Sequence, residues 1–96
     1  MTYELEFKVS ALKEWRKLDE SVRNQFKKKL LERLANPKVE ADRLRHLPDC
    51  YKIKLKLRNA GYRLVYQVDD QKVLVIVVAV GRRDRLTVYR AAKETV

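Results

Sequence analysis

Residues 73–80 read VLVIVVAV, eight positions without a polar side chain. The run is far too short for a bilayer span, which takes about 20 residues. Its β-branched content favours a strand, and a strand apolar on both faces must be covered on both. The stretch therefore predicts the central strand of a sheet, and the rest of a 96-residue chain has to be arranged around it.

Three further segments alternate with period two. TYELEF at residues 2–7 sets Tyr3, Leu5 and Phe7 inward against Glu4 and Glu6, the pattern of a half-buried strand. CYKIKLKL at 50–57 and YRLVYQV at 62–68 flank the turn RNAG, and DDQK connects the second of them to the central run. Tyr62, Leu64 and Tyr66 share one side of their strand, so Tyr62 and Tyr66 are expected to pack in the sheet.

Two helices are expected between the first strand and this hairpin. Ser10 would cap ALKEWRKL, with Leu12, Trp15 and Leu18 inward, and Ser21 would cap VRNQFKKKLLERLAN. In the second, Val22, Phe26, Leu30 and Leu34 recur every fourth residue, with Leu31 widening the stripe and Asn36-Pro37 ending it. Residues 38–49 form a connector with a short helical turn, and DRLTVYRAAKE after Gly81 has the composition of a short helix. One domain over residues 1–96 follows, of the α+β class. It is a mainly antiparallel four-stranded sheet with two N-terminal helices on one face and a short C-terminal helix. The other face is expected to stay open.

Charge then locates the activity. The chain carries 23 basic and 13 acidic residues, net +10. Residues 51–96 contribute 11 basic against 4 acidic, so the excess lies in the second half. Such a field favours an anionic partner: nucleic acid, an anionic membrane surface or an acidic protein. Within YKIKLKLR at 51–58, Tyr51, Ile53, Leu55 and Leu57 face the core while Lys52, Lys54, Lys56 and Arg58 share the other side. Same-face neighbours are roughly 7 Å apart, where repulsion is about 0.6 kcal/mol per pair in water and about 2 kcal/mol near a protein surface. The missing counter-charge is expected to come from an anionic ligand.

Other chemistry is poorly represented. The sequence has no Gly-rich phosphate loop, no site-forming carboxylate pair and no metal-ligand spacing, so no cofactor or metal is expected. His46 sits in a polar connector and is expected at the surface. Cys50 cannot form an internal disulfide and is expected to line the core, consistent with a reducing, cytoplasmic setting. The N-terminus lacks the pattern of a secretory signal, and no membrane partner is expected.

The ordered segments ALKEWRKL, KKKL, PDCYKIKL, GYRLVYQV, VGRRDR and VY together make the chain similar to the RelE family of bacterial toxins. The resemblance implies a microbial-ribonuclease-like fold and a ribosome-dependent endoribonuclease. Such a toxin cuts messenger RNA in the ribosomal A site, is neutralised by a RelB-type antitoxin, and with it represses its operon, meeting operator DNA only through the complex. By position, the family's catalytic residues fall on Lys52, Lys54, Arg63, Arg83 and Tyr89. Lys56, Arg58, Arg82, Arg85 and Arg90 are the further candidates for contact with RNA, including ribosomal RNA. KLRNA between the two strands is about two residues longer than the family's hairpin.

Metal-free RNA cleavage needs a 2′-hydroxyl deprotonated, a dianionic phosphorane stabilised and a 5′-oxygen protonated. Lys52, Lys54 or Tyr89 could serve as the base, Arg63 forks onto phosphate oxygens, and Arg83 holds the opposite side. A non-catalytic RNA-binding or ribosome-associated module is the alternative, with the same charge but no use for Arg83 and Tyr89.

Overall fold

Apolar on both sides, the run after residue 73 does become an interior strand. The computed structural model describes residues 2–57, 60–82 and 92–93. Strand β1 is Glu4–Phe7, helix α1 Val9–Lys17, helix α2 Glu20–Ala35, followed by a 3-10 turn at Glu40–Asp42. Strands β2 (Cys50–Leu57), β3 (Ala60–Asp69) and β4 (Leu74–Arg82) complete the sheet. The strand order is β1-β4-β3-β2. β2–β3 and β3–β4 are antiparallel, whereas β1 lies parallel to β4, so the sheet is mixed and mostly antiparallel. Of the C-terminal helix expected over DRLTVYRAAKE, only Ala92 and Lys93 belong to the described residues.

A slip of one residue organises β4. Val65 pairs with Ala79 but Tyr66 pairs with Val77, which leaves Val78 opposite no residue of β3. Such a bulge turns two consecutive side chains toward one face. Val75, Val77 and Val80 accordingly enter the core under the helices. Val78 and Ala79 enter a second cluster on the opposite face, with Ile76 packed against it.

The helices cover one face as the periodicity requires. Val22, Phe26, Leu30 and Leu34 of α2 are buried, as are Ala11 and Trp15 of α1, while Leu12 and Leu18 are packed against them. Trp15 joins three elements, its ring 5.1 Å from Phe7 and 6.2 Å from Phe26. Leu31 does not widen the stripe, because it is 67% exposed. Neither serine caps a helix: α1 starts one residue before Ser10 with Lys8 at its N-cap, and α2 starts at Glu20 after Asp19. Backbone geometry at the exit of β1 sets the first start, where the Lys8 amide still donates to Val77 at 2.9 Å. Leu5 reaches 36% exposure because β1 is an edge strand.

The β3–β4 turn is held by side chains. Asp69 accepts from the amides of Gln71 and Lys72, both at 3.1 Å, and Asp70 accepts from the Tyr3 hydroxyl at 2.8 Å and from Lys38. Val73, expected at the start of the strand, instead closes the turn at φ 54°. A β-branched residue is strained there by about 1–2 kcal/mol. Val73→Gly should therefore raise stability by about 1 kcal/mol in urea unfolding, the relief exceeding glycine's extra unfolded-state entropy.

Lys38 and then Tyr3 hold the Asp70 carboxyl below its ordinary pKa. A depressed folded-state pKa stabilises the fold above the unfolded carboxylate's value, and that contribution is lost as pH falls. Asp70→Asn should accordingly lower the unfolding midpoint near neutrality. The difference from the parent should vanish on titration through and below the carboxylate range, about pH 4.

Candidate active site

The β2–β3 ladder runs without interruption from Cys50–Gln67 to Leu57–Ala60 and fixes which side chains meet. Lys54 lies directly across from Arg63, Lys52 across from Val65 and Lys56 across from Gly61. On β4, Gly81 pairs with Arg63 and Ala79 with Val65. Directly opposed residues share a face, with β-carbons about 5 Å apart. Lys52, Lys54, Lys56 and Arg63 thus form one cluster on the side away from the helices. Its apolar counterpart, Tyr51, Ile53 and Leu55, is buried, with Leu57 packed against the same core.

No acid neutralises this cluster among the described residues, since none of their ion pairs engages these four cations. Glu4 and Glu6 share the face through their pairing with Leu74 and Ile76, but at the far edge. Strand spacing and residue rise place Glu6 about 16 Å from Arg63, beyond a Debye length of about 10 Å. The Arg63 guanidinium donates to its neighbour's carbonyl, Tyr62 O, at 3.2 Å. Its remaining donors make no other hydrogen bond to the described residues.

The face is not fully open, contrary to expectation. Cys50, Val65, Val78, Ala79 and Ala92 form a buried cluster, with Leu44 and Leu47 of the connector packed on it. This cover lies over the Cys50 and Lys52 end, leaving Lys54 and Lys56 exposed at the other. Cys50 lines that cluster as expected. Burial, helped by the Asp49 charge, pushes its thiol up to about 11, so it is not a thiolate nucleophile near neutrality. His46 is exposed, and no group of three His, Cys, Asp or Glu among the described residues could hold a metal. No helix among them is long and apolar enough to cross a membrane.

Arg33 is the supporting residue that periodicity missed. Its Nη1 donates to the Tyr66 hydroxyl at 2.9 Å and the Lys52 carbonyl at 3.3 Å, and its Nη2 to Asp42 at 2.6 Å. Tyr66 in turn donates to Pro37 O at 2.6 Å and stacks on Tyr51, ring centroids 5.7 Å apart. Burial opposes the Arg33 charge, but the bonds to Tyr66 and Asp42 outweigh it and raise the pKa. One side chain thereby ties α2, the 3-10 turn and the outer edge of β2 together at Lys52. The visible signal was a cation beside Leu30 and Leu34 at the border of the apolar stripe; its partners lay too far along the chain to read.

The remaining candidates divide by position. Arg82 pairs with Tyr62 and so belongs to the helix-bearing face, apart from Arg63. Arg58, Arg83, Arg85, Tyr89 and Arg90 lie outside the described residues. Like charges directly opposed across a ladder oppose the fold. Lys54→Gln should therefore stabilise the protein by about 0.5 kcal/mol in low-salt urea unfolding. The gain should shrink as added salt screens the repulsion.

Comparison with known proteins gives a consistent set. The family described as ParE toxin of type II toxin-antitoxin system, parDE, matches residues 5–87. The mRNA interferase toxin RelE of Escherichia coli K12 is 60% identical over 92 residues, covering 96% of this chain and 95% of its own length. A double arginine-to-alanine variant of E. coli RelE in the free state superposes with a TM-score of 0.88 at 56% identity, covering 98% of this chain and 97% of that one. The toxin in the intact E. coli RelBE toxin-antitoxin complex gives 0.77 at 59% identity, covering 86% and 99%.

Proposed function

Because the chain belongs to the RelE/ParE family of toxins of type II toxin-antitoxin systems, we propose that it is a ribosome-dependent endoribonuclease that cleaves messenger RNA in the ribosomal A site. The observation that carries this reading is the register of Lys54 against Arg63, with Lys52 beside them and no acid paired to the three among the described residues. A scissile phosphate supplies the missing charge, and its dianionic phosphorane supplies more of it. The cluster therefore binds the transition state more strongly than the substrate.

The chemistry proceeds without a metal. Lys52, Lys54 or Tyr89 takes the 2′-hydroxyl proton, the oxygen attacks phosphorus in line to form a 2′,3′-cyclic phosphate as the P–O5′ bond breaks, and the departing 5′-oxygen takes a proton from solvent with Arg83 assisting. Arg63 presents a planar fork to the equatorial oxygens while Arg83 holds the opposite side. Tyr89 orients the nucleotide, by stacking or by hydrogen bonding the 2′-hydroxyl. Lys56, Arg58, Arg85 and Arg90 serve as outlying contacts with RNA, and Arg82 as one from the other side of the sheet. Arg33 keeps Lys52 in place through its carbonyl.

The relative solved in complex with RelB supports a RelB-type antitoxin as partner. On this reading the antitoxin neutralises the toxin in the cytoplasm, and the pair represses its own operon. An acidic, partly disordered segment that folds on binding suits a net +10 surface.

Mapping cleavage on programmed ribosomes tests the reading. The parent should cut within the A-site codon and leave the same free RNA essentially intact. Arg63→Ala and Arg83→Ala should each lower the rate at least about 100-fold, as loss of a transition-state charge contact does. Both should relieve growth arrest while keeping the parent's circular dichroism. Alanine variants as toxic as the parent would reduce the protein to an RNA-binding module.

A further inference from the structure

Both glycines of the chain fall on the cation-bearing face. Gly61 lies across from Lys56 and two residues before Arg63, and Gly81 lies across from Arg63 on its other side. Glycine inside a strand weakens it, and usually marks positive φ, a bulge or a close approach by another backbone. The first two are absent here. Neither glycine has positive φ, the register shift lies at Val65/Tyr66, and the hairpin turn is closed by Leu57–Ala60 before Gly61 is reached. Close approach remains.

The positions emptied are the two cross-strand neighbours of cations. A methyl group at either would stand about 1.5 Å above the sheet, in the space beside the Arg63 guanidinium stem or the Lys56 stem. The buried cluster of Val65, Val78, Ala79 and Ala92 covers the sheet further along, whereas both glycines remain partly accessible. We propose that Gly61 and Gly81 form the floor on which the sugar-phosphate backbone of a single RNA strand lies, with Arg63 rising between them. The inference rests on the function proposed above and adds the path of the strand. RNA enters over Lys56 and Gly61, and the scissile phosphate lies against Arg63, Lys54 and Gly81.

Gly61→Ala, Gly81→Ala and Gly81→Val in the full chain test the floor, because alanine and valine both fit the observed extended backbone. Thermal unfolding should match or exceed that of the parent, since each substitution reduces the freedom of the unfolded chain. Binding to a single-stranded RNA carrying a 2′-deoxy block at the cut site, read by fluorescence anisotropy, should weaken about tenfold for each alanine. It should weaken further for Gly81→Val. The toxin concentration giving half-maximal cleavage on programmed ribosomes should rise in parallel.

Unchanged binding and cleavage in a stably folded variant would overturn the proposal. So would a lower melting temperature accompanying the loss, which would mean that the space serves the protein's own packing. A parent that binds the blocked RNA in a glycine-dependent way but does not cleave on ribosomes would refute the nuclease reading and leave the floor standing. A parent that cleaves, with alanine variants that cleave equally, would refute the floor alone.

Discussion

The double-sided burial of β4 is the constraint on which the remaining architecture depends. An all-apolar strand needs a partner layer on each face, and the chain has only two amphipathic helices before its hairpins to supply one. They cover the side reached by Val75, Val77 and Val80. The opposite side is closed with Leu44, Leu47 and Ala92 over a patch of small and medium residues. The bulge at Val78 makes this division work by turning Val78 and Ala79 to the same side. Beyond Ala79 the described part of that face carries Gly81 and Gly61 beside Arg63, Lys54 and Lys56 instead of apolar side chains. The candidate site is therefore the part of the second face that no described residue covers.

Holding four cations there is costly, and relative magnitudes explain why the strand survives. Repulsion between same-face neighbours along the strand, roughly 7 Å apart, is about 2 kcal/mol per pair near a surface. Ile53 and Leu55 on the opposite side of β2 are each buried to within a few per cent, and each such burial contributes about 1.5–3 kcal/mol. Tyr51 adds a stack on Tyr66. The apolar face thus outweighs the charged one residue for residue along the strand. Arg33 adds a bond to the carbonyl of Lys52 on the outer edge of β2, which is also met by the Arg43–Tyr51 bridge and by the Leu44 amide donating to Cys50 O. The charged face can be arranged for its ligand because its stability is supplied from the other side.

Much of this was legible in the chain because periodicity reports which side of an element is buried. The spacing of Val22, Phe26, Leu30 and Leu34 identified α2, and the alternation in CYKIKLKL identified β2 to the residue. Periodicity does not report which elements become neighbours. The parallel pairing of β1 with β4, the cover from Leu44 and Leu47, and the reach of Arg33 to Asp42 and Lys52 are contacts between distant segments, and no local pattern encodes them. Ser10 and Ser21 were chosen on intrinsic capping preference, which the exit of β1 and the Asp19 boundary overrode. Leu31 fitted the helical stripe by angle, but it is exposed, with no described element packed over it. The lysine and arginine face was the readable part of the site; Gly61 and Gly81 became meaningful only when the register placed them beside Lys56 and Arg63.

A site made of cations and cleared space has a particular chemical character. It can neutralise charge and accept a strand at close range, but its arginines are poor proton donors near neutrality. On the proposed function, much of the acceleration must then come from holding the 2′-oxygen, phosphorus and leaving oxygen in line, a contribution that positioning can make very large. Isolated RNA samples that alignment rarely, whereas a codon fixed on the ribosome is already ordered. On that function, a cation cluster with no acid paired to it among the described residues gains most from a substrate whose conformation is set elsewhere. On the same proposed function, these cations are also accessible to an acidic antitoxin segment that reaches the face first, so that reading derives ribosome dependence and antitoxin control from one arrangement of charge.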